Sequence, residues 1–73
     1  MVIAKELLAC MFDNEMIKVC DSVSGMPLAA GKASDMYLAN ERYLNCEVSG
    51  ITTVLDEMSR TICIVLYVEE ERK

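Results

Sequence analysis

By residue type, the four cysteines Cys10, Cys20, Cys46 and Cys63 are best suited to do chemistry, as nucleophiles, disulfide partners or metal ligands. Their pattern argues against all three. They are 10, 26 and 17 positions apart, with no Cys-x-x-Cys pair and no histidine in the chain. Zinc would need all four to converge from a helix and three strands, whereas zinc knuckles use close-spaced pairs. A cysteine nucleophile needs an activating neighbour, and the nearest candidate is Lys18, two residues from Cys20 on the same strand face. Without histidine the commonest general base is missing. Asp21 and Asp35 would approach only if a hairpin folded back, and carboxylates at strand ends are ordinary turn chemistry. Ser22-Val23-Ser24-Gly25 lacks the Gly-x-x-x-x-Gly-Lys frame of a phosphate loop. The expectation is a protein that is not an enzyme, takes no cofactor or metal, and keeps its thiols mostly buried as small apolar groups in a reducing compartment.

Binding is the remaining class. Net charge is −5, from 12 acidic and 7 basic residues, which disfavours contact with nucleic-acid phosphates or anionic lipid. It suits solubility, and it suits a basic protein partner. Three groups of residues could serve. The acidic set Asp56, Glu57, Glu69, Glu70 and Glu71, with Tyr67 as an aromatic anchor, could meet a basic groove. Lys18, Lys32, Ser34 and Arg42 could hold an anion, with the Asp21–Gly25 turn beside Lys32, Ser34 and Asp35 if the hairpin folds as expected. Thr61, Cys63, Val65 and Tyr67 form one apolar face of a strand and could bury against a second subunit.

The elements that must position these groups follow from periodicity. Thr61–Val68 has no charge, glycine or proline, and both of its alternating faces are apolar, so it should be a central strand covered on both sides. Residues 2–12 carry apolar positions 3, 7, 8, 11 and 12, the stripe of a three-turn helix ending at Asp13-Asn14. Met16–Asp21 reads as a strand. Gly25 and Pro27 mark a turn and the start of a weak edge strand, Leu28–Ala33, in which Gly31 suggests a bulge or a close backbone approach. Ser34 is a plausible cap for a short helix over 35–44, whose apolar face would use Met36, Leu38, Ala39 and Tyr43 or Leu44. Cys46–Leu55 is the third strand, with a bulge near Ser49-Gly50. Asp56–Arg60 is a polar turn, and residues 69–73 form a charged tail.

The fold class is therefore α+β, a single domain over 1–73. An N-terminal helix packs on a four-stranded, mostly antiparallel sheet in the order α-β-β-(short α)-β-β. A chain of 73 residues with 53% hydrophobic composition has apolar surface to spare, which points to a homodimer. Lys5 and Glu6 interrupt the apolar start, and no stretch reaches membrane-spanning length, so the expected location is the cytoplasm.

Residues 19–35, Val-Cys-Asp-Ser-Val-Ser-Gly-Met-Pro-Leu-Ala-Ala-Gly-Lys-Ala-Ser-Asp, resemble a class of short phage and mobile-element proteins of Firmicutes. In that class a helix like Lys5-Glu6-Leu7-Leu8 precedes a Val-x-Asp-Ser-x-Ser/Thr-Gly hairpin. A Glu-Val strand like Glu47-Val48 and an apolar last strand follow. Met26-Pro27 and the cysteines at 46 and 63 depart from the pattern. The resemblance brings no catalytic residues. It implies a stoichiometric inhibitor of a bacterial defence system, acting on a host protein in the bacterial cytosol. An oligomeric sponge for a signalling nucleotide, or a structural adaptor, are the other readings.

Overall fold

A computed structural model of the chain describes residues 2–38 and 42–69. The expected α+β order is present: helix α1 (Ala4–Ala9), strands β1 (Met16–Asp21) and β2 (Pro27–Lys32), helix α2 (Ala33–Leu38), a 3-10 turn (Arg42–Asn45), and strands β3 (Glu47–Asp56) and β4 (Thr61–Glu69). The sheet runs β2-β1-β4-β3. Two antiparallel hairpins, β1–β2 and β3–β4, are joined through a parallel β1–β4 pairing. The parallel junction arises because α2 and the 3-10 turn carry the chain from one sheet edge to the other, which aligns the two inner strands.

The core lies on one face of the sheet. Ile17 and Val19 of β1 stand in register with Ile64 and Leu66 of β4, and Val68 follows. They meet Ala4 and Leu8 of α1, Ala33 and Met36 of α2, and Tyr43 and Leu44 of the 3-10 turn. Ile17, Val19, Leu66 and Val68 are wholly buried. Each such side chain removed from water contributes about 1.5–3 kcal/mol. The helical layer is thus shared by three short elements, where the sequence suggests α1 alone. Lys5 Nζ sits 5.4 Å from the Tyr37 ring centroid, a cation–π contact that ties α1 to α2 from outside.

Several boundaries differ from expectation, each for a local reason. Helix α1 has six residues rather than the three turns over 2–12. At its start, Glu6 Oε1 accepts the Ile3 N–H at 3.1 Å, and Ala4 N–H donates to Cys46 O at 3.0 Å. At its end, Cys10 and Met11 donate to Leu7 and Leu8, three residues back, which tightens the last turn. Phe12, placed by periodicity on the buried stripe, is 78% exposed because the helix has already ended. Ser34 is not a cap. Helix α2 begins at Ala33, and its leading donors are taken by loop carbonyls, Ala33 N–H to Glu15 O and Ser34 N–H to Asp13 O. The expected helix over 35–44 becomes α2 and the 3-10 turn; Ala39, Asn40 and Glu41 lie outside the described residues.

In the first hairpin the bulge is not at Gly31. The register shifts between Val19 and Cys20, next to Pro27, which has no N–H to give the ladder. Nor does Gly31 mark a close backbone approach: a Cβ there would lie 3.7 Å from Met36 Cγ, an ordinary van der Waals contact. Gly25 takes the positive φ of 74° expected of it in the turn. The bulge predicted near Ser49-Gly50 is present, as a shift between Val48 and Gly50.

Truncation at the sheet centre should separate core from arm. Leu66→Ala is expected to cost about 2–5 kcal/mol, whereas Ile62→Ala, on an exposed position of the same strand, should cost under about 1 kcal/mol. Urea melts of both variants check this, and equal losses would contradict the core assignment.

Candidate binding surface

The first two residues of β4 and most of β3 extend past the helical layer, making the β3–β4 hairpin an arm. Residues 51–62 are all exposed. Side chains alternate along it: Ile51, Thr53 and Leu55 stand on the helix side with Ile62 and Ile64, and Thr52 and Val54 on the other side with Val65 and Cys63. Both sides therefore carry apolar groups in water, with Leu55 and Ile62 each 64% exposed. The tip is the turn Glu57–Arg60, where Met58 is 98% exposed.

Asp56 organises the tip. Its Oδ1 accepts the Met58 N–H at 3.1 Å, and Thr61 Oγ1 donates to Ser59 O at 3.2 Å. The Ser59 side chain, then the backbone N–H groups of Met58 and Ser59, hold the Asp56 carboxyl below its ordinary value of 3.8. Arg60 closes the turn with φ of 55°, a conformation that favours glycine.

The residues singled out from sequence separate into different regions. Asp56 and Glu57 lie at the tip, while Glu69 pairs with Glu47 at the opposite end of the hairpin. Glu70 and Glu71 lie outside the described residues. Tyr67 stands on the face of the sheet away from the helices, half-buried, opposite Gly50, where a Cβ would lie 3.7 Å from its ring. That face also holds Cys63, half-buried, Val65, buried, and Thr61, exposed. Val65 is already shielded by its strand neighbours in the single chain, so the patch that remains open is narrow, with Met16 and Leu28 at its margin.

The anion set divides across the sheet. Lys18 and Lys32 are diagonal neighbours on the face away from the helices, whereas Arg42 begins the 3-10 turn and Ser34 lies in α2, both on the helical side. Lys32, Ser34 and Asp35 are at the far end of the hairpin from the Asp21–Gly25 turn, because Lys32 pairs with Met16 while Cys20 pairs with Pro27. The turn is closed on itself: Asp21 Oδ2 accepts from Ser24 Oγ at 2.8 Å and Ser24 N–H at 3.2 Å, and Gly25 N–H donates to Asp21 O. Asp21 and Asp35 do not meet. The thiols are less buried than expected: Cys20 alone is buried, Cys46 and Cys63 are half-buried, and Cys10 is exposed.

A depression of about 450 Å³ that sequence reasoning did not place lies beside β2, lined by residues 28–31, Asp35, Met36 and Tyr43. Among the described residues no group of three His, Cys, Asp or Glu is arranged to hold a metal ion, and no helix is long and apolar enough to cross a membrane. No family model, curated protein or solved structure matches this chain.

The Asp56 turn gives a pH prediction with a definite sign. A carboxyl whose folded value is depressed stabilises the fold above its unfolded value and loses that contribution as pH falls through the folded one. The stability difference between wild type and Asp56→Asn should be constant above about pH 5 and shrink below 3.8. Thermal melts across this range, with an NMR titration of the Asp56 carboxyl, measure it. A midpoint at or above 3.8 would overturn the assignment.

Proposed function

We propose that this protein is a non-enzymatic, stoichiometric binder of another protein, and that the arm is its docking element. The observation that carries the reading is the tip. Two carboxylates, Asp56 and Glu57, stand beside the 98% exposed Met58 at the end of a hairpin extending beyond its own core. An exposed apolar side chain preceded by two carboxylates, with Arg60 closing the same turn, suits a basic surface with an apolar recess, the kind of surface a nucleic-acid-binding protein presents. Met adapts to irregular recesses because its unbranched chain repacks at low cost.

The biological form proposed for this binding is inhibition of a bacterial defence system, such as a CRISPR effector, in the host cytosol. The net charge of −5 supports it, since a protein that blocks a nucleic-acid channel competes with an anionic ligand. The nucleotide-sponge reading has less support, because Arg42 and Ser34 lie across the sheet from Lys18 and Lys32.

The test is DNA cleavage by purified CRISPR effector complexes with the protein in stoichiometric excess. Inhibition that weakens on the order of tenfold in a D56K/E57K double variant, and on raising salt, is the expected result. A panel of effectors cleaving at undiminished rates would remove the inhibitor reading. Inhibition indifferent to both salt and charge reversal would remove the tip as its carrier.

A further inference from the structure

The two edges of the sheet are unlike. Strand β2 is short, begins with Pro27, carries the register shift opposite Cys20, and ends in Lys32, all features that discourage another strand from pairing with it. Strand β3 has ten residues and none of these devices between Ile51 and Leu55. Its beginning is already occupied. Val48 N–H donates to Val2 O at 2.9 Å, Ala4 N–H donates to Cys46 O, and Ile3 bridges to Glu47 in antiparallel sense. The chain's own start thus pairs with β3 through Val48, and the turn begins at Glu57. Among the described residues, what remains open is the edge of residues 50–56, an uncharged run closed by Asp56.

We infer that residues 50–56 of β3 pair antiparallel with the same residues of a second copy, about a two-fold axis at Thr53, forming a continuous eight-stranded sheet. The segment is self-complementary about that residue. Thr53 faces Thr53 of the other copy, Ile51 faces Leu55, Thr52 faces Val54, and Asp56 faces Gly50, so no acidic residue opposes another. Moving the axis to Thr52 would set Asp56 against Val48, whose edge is already taken by Val2. An axis perpendicular to the sheet keeps each face with its own kind, so the exposed Ile51 and Leu55 of both copies form one apolar ladder on the helix side. The association closes at two, because it uses both β3 edges and leaves only the blunted β2 edges outside. It places the contact on the β3 edge rather than on the Thr61, Cys63, Val65 and Tyr67 face, and leaves the Glu57–Arg60 tip outside the paired segment.

Light scattering on wild type should give twice the 8.2 kDa chain mass. Thr53 is exposed in the single chain, so Thr53→Lys and Thr53→Glu should each fold, shown by circular dichroism. Each should run as a monomer through like-charge opposition at the axis, and an equimolar mixture should recover the dimer mass as a heterodimer. In parallel, amide exchange on wild type should slow in residues 50–56 as protein concentration rises. A monomeric wild type, dimers that survive in both single variants, folded variants that do not combine, or exchange in this segment independent of concentration would each overturn the inference.

Discussion

The parallel pairing of β1 with β4 is the interaction on which the rest of the structure depends. Each of these strands has a hairpin partner, and neither hairpin alone could bury a core: two-stranded ribbons are marginal in water. Joined side by side, they bring Ile17, Val19, Leu66 and Val68 into one wholly buried row. That row is wide enough for α1, α2 and the 3-10 turn to cover, and three short helical pieces that would not persist alone are held by it. Among the described residues, the largest wholly buried side chains are those of this row.

The same pairing explains why the arm is bare. The helical layer is set by where β1 lies, and β1 ends its contact with β4 at the level of Cys63. The β3–β4 ladder continues two pairs beyond Cys63, Leu55–Ile62 and Asp56–Thr61, with no third strand beside that stretch of β4 and no helix above it among the described residues. An apolar stretch that would be core in a wider sheet is therefore left at the surface. Exposed apolar hairpins cost solubility and invite association. Charge on this stretch is confined to its end, at Asp56, Glu57 and Arg60, with none along the run from Ile51 to Leu55.

The sequence by itself determined most of the elements. Alternation without breakers located β1 and β4, the shift of apolar phase at Ser49-Gly50 marked the β3 bulge, and Gly25 with Pro27 marked the first turn. These signals are local: side-chain direction in a strand and φ in a turn depend on a residue and its immediate neighbours. Tertiary structure decided what non-local partners decide. Phe12 is exposed and α2 begins before Ser34 because loop carbonyls and tightened helix ends replaced side-chain caps. The apolar character of β4 read as burial on both faces, yet Thr61 and Ile62 stand in water, since composition records that a residue is apolar and only the placement of β1 and the helices determines what covers it. Likewise the separation of Arg42 from Lys18, and the occupation of the start of β3 by Val2–Ala4, come from strand order and register, which join residues remote in the chain.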